Sequence, residues 1–215
     1  MTNPYTRLAV AAAEWDDLHP RLAPPALRQL ALLLASLRLA TGEVAERAAL
    51  LAARLLGEQL PDRFPGESRL APAASAPAAR HLGFSAEDLA VLVLDGHRMV
   101  GPVLGEVRDR LLAEPSIGDA EALEGGCDPY APGLIRLRAA GGFVRLPVFQ
   151  FAADGQPVPV VREVNRLLDA DHDPWGAADW WLAPNAWLDE VPVRLLGTPG
   201  EQQLAVAAGL PSAEA

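Results

Sequence analysis

Residues 173–196 read DPWGAADWWLAPNAWLDEVPVRLL, and four of the chain's five tryptophans lie among them. Asp173 can cap a helix, and Pro174 suits its first turn, where a missing N–H costs nothing. On a helix over 174–183, Trp175, Ala178, Trp181 and Leu182 share one face at about 100° per residue, whereas Trp180 points away from it. A buried indole hides roughly 150–250 Å², worth up to ~4–6 kcal/mol at ~25 cal/mol/Å². Four tryptophans left in water would forfeit that stabilisation, so each faces a core or a partner. Either all four are core, or Trp180 and Trp187, which lie off the apolar face, are covered by another molecule. We assign those two to a partner.

The rest of the chain is mainly helical, with a short β segment, so the expected class is mainly α (α+β). Residues 1–24 read as an irregular lead with a short helix around 7–15. From Pro24-Pro25, Leu27, Leu30, Ala31, Leu34 and Leu37 recur at helical spacing, and Thr41 can cap a second helix through about 56. At Gly42 the break is so short that one kinked helix fits equally well. Ser85 with Asp88 is a capping-box start for a helix that Asp95-Gly96 ends, and Pro102 begins another reaching about 113. The seven-residue turn and the mixed-sign second helix (Glu106, Arg108, Asp109, Arg110) favour a structural α-hairpin over a DNA-reading unit. In the C-terminal part, Ile135 and Leu137 alternate with Arg136 and Arg138. A Gly-containing turn at 139–142 leads to a second strand, which Pro147 marks as an edge or bulged one. A helix over 158–168 has Val160, Val161, Val164, Leu167 and Leu168 on its apolar face. The last helix is bracketed by Thr198 with Glu201, Pro199, and then Gly209 and Pro211. Four regions are therefore expected: a helical region over 1–69, a Pro/Ala linker over 70–79, a helical hairpin with an acidic loop over 80–132, and a small domain over 133–215. The last should hold a β-hairpin and about four short helices, with Ile135, Leu137, Phe149, Phe151, Val161, Val164, Leu168, Trp175, Trp181 and Leu195 as its core.

Charge narrows the function. All 18 basic residues are arginine against 28 acids, a net charge of −10. Neither part is basic: residues 1–132 carry 12 arginines against 18 acids, and residues 133–215 carry 6 against 10. That balance argues against non-specific phosphate binding and gives DNA no support as a partner. The single Cys127 excludes an internal disulfide and a cysteine-based zinc site. No apolar run approaches the ~18 residues of a membrane span, and residues 8–13 are too few for a signal-peptide core, so a cytoplasmic protein is expected. Asp169, Asp171, His172 and Asp173 are the densest group of metal-ligand types, but they lack EF-hand spacing. His19, His81 and His97 have no spacing that builds a zinc site or a triad, and no phosphate loop or nucleophile elbow is present. No catalytic residue, cofactor or metal is expected, and the chain reads as a binding protein, not an enzyme.

WWLAPNAWLD, followed by Pro192, Leu195 and Leu196, resembles the C-terminal toxin-binding domain of the Xre/MbcA/ParS antitoxins. Upstream, GLIRLR (133–138) and RLPVFQF (145–151) look like that family's strand pair, and Asp154-Gly155-Gln156-Pro157 then leads into a helix, as there. The resemblance spans about residues 133–212 and departs at Asp189-Glu190-Val191, where the family has a Gly-rich, Arg-containing turn. It implies a bacterial type II antitoxin that covers a RES-domain, NAD-consuming toxin and forms a homo-oligomer, commonly a dimer. By matched position, it implies contacts at Trp180, Trp181, Pro184, Asn185, Trp187 and Leu188, and on the final helix from Glu201 to Leu204. Asn185, directly after Pro184, also reads as a turn-shaping residue. Two other classes stay open: a transcription regulator binding DNA through residues 80–113, and a docking or scaffold protein with no toxin.

Overall fold

The computed structural model describes residues 3–65 and 82–210. The linker expected over 70–79 lies outside them. The chain forms two compact units, Met1–Glu106 and Val107–Ala215.

The first unit is helical from its start: α1 (Pro4–Ala13), α2 (Trp15–Leu18), α3 (Pro24–Leu39), α4 (Gly42–Gln59) and α5 (Ala86–Ala90). The expected irregular lead is thus itself helical, because Leu8, Ala11, Ala12, Trp15 and Leu18 all reach the core. Ala40 and Thr41 are extended, so α3 and α4 are separate helices, although the Thr41 side chain makes no cap bond. α3 lies along α4, and α1 packs on α4 and α5. Leu30, Leu34, Ala49, Ala52 and Leu56 fill the space between them. The capping box at α5 is present: the Asp88 N–H donates to Ser85 Oγ at 3.1 Å, and the Ser85 N–H donates to Asp88 Oδ2 at 2.8 Å. Residues Val91–Asp95 continue as a π-helical turn that Gly96 closes in the left-handed region at φ 71°.

α6 (Gly101–Ala113) runs through the division between the units. In the second unit β1 (Ser116–Gly118), α7 (Asp119–Glu124), β2 (Leu137–Arg138), β3 (Val144–Pro147), α8 (Pro159–Leu167), α9 (Pro174–Leu182) and α10 (Leu204–Ala208) follow. The sheet is antiparallel in the order β1-β3-β2, with Ile117 opposite Leu146 and Leu137 opposite Arg145. The acidic stretch after residue 114 thus contributes a strand to this sheet, and Ala122 and Cys127 pack on Leu134 and Leu146. β3 is the central strand, neither an edge nor bulged. Pro147 is tolerated because it is the last residue of β3 and the β2 pairing has already stopped at Arg145. Gly141 and Gly142 supply the expected turn, both at positive φ. Among the described residues no helix is long and apolar enough to cross a membrane.

Candidate functional site

α9 starts as its sequence dictates: Asp173 Oδ1 accepts from the Gly176 N–H at 2.9 Å, with Pro174 in the first turn. Trp175, Ala178 and Trp181 are buried on one face, and Trp181 is fully enclosed. Its indole N–H donates to Asn165 Oδ1 at 2.7 Å. The Asn165 amide N–H groups donate to the Gly133 carbonyl at 3.0 Å and to Gln150 Oε1 at 3.1 Å. Gln150 then takes the place of a strand: its Oε1 accepts from the Ile135 N–H at 2.6 Å, and its Nε2 donates to the Ile135 carbonyl at 3.1 Å. Gln150 and Asn165 have no exposed surface, and every amide group of the pair has a partner. Such a chain is costly to interrupt. Gly133 fits because a Cβ there would sit 3.1 Å from the Arg162 carbonyl.

Trp180 leaves this network. It is half-buried, edge-on to Trp181 with ring centroids 5.2 Å apart. Beyond α9 the chain turns about Asn185, whose Oδ1 accepts from the Trp187 N–H at 2.9 Å and the Leu188 N–H at 3.3 Å. The Asn185 N–H donates to the Glu190 carbonyl at 3.0 Å, closing the loop. Asp189 takes the left-handed conformation (φ 50°) that glycine would adopt without strain. Glu190 Oε1 accepts from the Val191 N–H at 2.7 Å and pairs with Arg194. Those two contacts, the N–H foremost, hold its carboxyl below the ordinary range. On this pinned turn the Trp187 side chain is 69 % exposed.

Of the residues assigned to partner contact, Pro184 and Trp187 are exposed, and Trp180, Asn185, Leu188 and Glu201 are half-buried. Trp181 and Leu204 have no exposed surface, so they lie beneath the site and shape it from below. Glu201 Oε2 caps the Gly197 N–H at 2.7 Å while Thr198 Oγ1 accepts from Gly200, which starts the last helix as a 3-10 turn. Asn185 serves the turn. Sequence reasoning passed over Asn165, which sits on the polar side of the 158–168 pattern and is buried by its amide partners. The expected core residues Phe149, Phe151, Leu168 and Leu195 are only partly buried, and Leu167 points mostly into water.

The arrangement offers burial and hydrogen bonding. Cys127 is buried, which together with Asp128 pushes its thiol pKa up and away from the reactive thiolate. Asp169 pairs with His172 at 2.7 Å, Asp173 caps α9, and Asp171 meets Arg136 at 2.6 Å and the Gly133 N–H at 3.2 Å. The Arg136 bond, aided by Gly133, holds the Asp171 carboxyl below its ordinary 3.8. A lowered carboxyl stabilises the fold above the unfolded value, and that contribution fades as pH falls through the folded one. Asp171→Asn should therefore cost about 1 kcal/mol at neutral pH, a solvent-screened figure, and less at an acidic pH below the ordinary carboxylate value. Urea titrations of both chains at the two pH values read this directly. No protein-family model, curated protein or solved structure matches the chain.

Proposed function

We propose that this chain is an antitoxin-like protein of a bacterial type II toxin–antitoxin pair, which binds and blocks a RES-domain, NAD-consuming toxin through the Trp187 turn and the exposed edge of Trp180. The observation that carries this reading is Trp187: a large indole held mostly in water by a turn that Asn185 and Glu190 keep in place. Its own fold gains little from that exposure, whereas a partner pocket would recover the burial, which is how interface anchors behave. The order of RLPVFQF, WWLAPNAWLD and the capped last helix supports the same family. Residues 107–215 carry 16 acids against 8 arginines, so a basic partner surface would be steered toward this unit. In this reading the chain binds without catalysing and acts in the cytoplasm.

The test is co-expression with a RES-domain toxin, scored by growth rescue and co-purification. Trp187→Ala should weaken the complex by at least ~30-fold, about 2 kcal/mol, while thermal stability stays within ~0.5 kcal/mol. Toxicity unrelieved by the wild-type chain, with no complex recovered, would reject the antitoxin reading. A stability loss in Trp187→Ala as large as that of a core tryptophan would reject the interface.

A further inference from the structure

The first unit holds two adjoining cavities, of about 390 and 300 Å³, that share Trp15, His19 and Leu92 in their walls. Both fall in the size range of small-ligand pockets. One wall is α2 with the 3-10 turn after it (His19–Arg21), where the Trp15 and His19 rings lie 5.2 Å apart. Another is the π-helical turn, which supplies Leu92 and Val93 and continues into Gly96, His97 and Arg98. From α3, Leu27, Arg28 and Ala31 line the smaller cavity. The π-helical turn is itself informative, because the Gly96 N–H reaches back five residues to the Val91 carbonyl at 3.0 Å. Such turns are rare, and they are frequent at functional sites. Here the buried Arg38–Asp95 pair holds the turn in place.

The charges around these cavities run against those of the chain. On a protein of net charge −10, the two linings hold Arg28, Arg98, His19 and His97 and a single carboxylate, Asp16. Asp16 is already matched: Arg98 Nη1 donates to both its oxygens at 2.6 Å, and that bond holds its carboxyl below the ordinary range. Arg28 is exposed and has no hydrogen-bond or ion-pair partner among the described residues. The cavity beside it has no carboxylate in its lining, only the two rings and aliphatic side chains. A basic ligand would meet Arg28 and find Asp16 taken. A flat aromatic ring with one negative charge fits instead: the ring covers apolar and aromatic surface, and the guanidinium fork takes a carboxylate with two parallel hydrogen bonds. We propose that this cleft in the first unit binds a small planar aromatic monocarboxylate, its carboxylate on Arg28 and its ring against Trp15, Ala31 and Leu92.

The probe is 1-naphthoate, titrated into the full nitrogen-15-labelled chain and followed through its five indole N–H signals. Trp15 is the one tryptophan of the first unit, so its signal, assigned through the backbone, reports the cleft alone. That signal should shift saturably with a Kd of roughly 0.1–1 mM, an affinity suited to a ligand of this size, while the other four stay in place. The neutral counterpart 1-naphthylmethanol should bind about tenfold more weakly, since it forgoes the charge-assisted bonds. Octanoate, which keeps the carboxylate without the ring, should also bind at least about tenfold more weakly. Arg28→Gln alters an exposed side chain and should leave the far-UV CD spectrum unchanged. It should weaken naphthoate about tenfold and leave naphthylmethanol as it was. A Trp15 signal unmoved at roughly 5 mM naphthoate overturns the proposal. So does equal binding of naphthylmethanol or octanoate, or an Arg28→Gln chain that binds naphthoate as the wild type does.

Discussion

Replacing Trp181 with alanine is expected to lower the unfolding free energy of the second unit by about 3–5 kcal/mol. The indole has no exposed surface and packs against the Phe149 ring at 5.4 Å between centroids. Truncation therefore loses both its transfer free energy and the contacts around the hole it leaves. It also strips Asn165 Oδ1 of its donor in a place water does not reach, a penalty of about 1–3 kcal/mol if no water enters. Trp181→Phe separates the two contributions, since it keeps most of the ring and removes only the N–H; about 1–3 kcal/mol is expected there. Gln150→Leu should fall at least as far as Trp181→Phe, because it orphans both the N–H and the C=O of Ile135 at once. Tryptophan fluorescence reports mainly this unit, which holds four of the five indoles. A loss under ~1 kcal/mol in Trp181→Ala would show that the network does not organise the unit.

The parts of this architecture that were legible in the sequence are those fixed by neighbours in the chain. Asp173 over Gly176 and Ser85 against Asp88 are local hydrogen bonds, so residue type and spacing suffice to find them. The face of α9 was legible because Trp175, Ala178 and Trp181 repeat at the helical period, and Trp187 fell outside any such period. What escaped depends on distant partners. β1 is three residues of an acidic loop with no apolar alternation, and only pairing with β3 makes it a strand. Pro147 looked like an edge signal because its harmlessness depends on where β2 stops. Asn165 looked solvated because a buried amide is defined by its acceptors, here Gly133 and Gln150, which lie 32 and 15 residues away. Exposure escaped too: Leu32 and Leu39 have the same side chain as the buried Leu30 and Leu34, and position around α3 alone separates them.

Arg38→Met should produce the largest loss in the first unit, about 3–5 kcal/mol, because it strands a charge rather than opening a hole. Asp95, 2 % exposed, ends the π-helical turn, and both its oxygens accept from Arg38, Nη1 donating to Oδ1 and Nη2 to Oδ2, each at 3.0 Å. The same guanidinium reaches the more exposed Glu87 at 2.7 Å. Burial pulls the Arg38 pKa down, yet the bonds to Asp95 and Glu87 outweigh it and leave the pKa above its ordinary value. Without Arg38 the Asp95 carboxylate faces the interior with no cation, and the turn that leads into Gly96 loses its tether. The double variant Arg38→Met with Asp95→Leu removes both charges and should recover most of the loss, as buried pairs commonly do when exchanged for apolar groups. Glu87→Gln removes only a partly solvated partner and should cost under ~1 kcal/mol. The cycle thus predicts strong coupling for Arg38 with Asp95 and weak coupling for Arg38 with Glu87, read from urea midpoints followed by far-UV CD. If the double variant is no more stable than Arg38→Met, the loss comes from the packing of the arginine's alkyl stem, and the π-helical turn is held by something other than this pair.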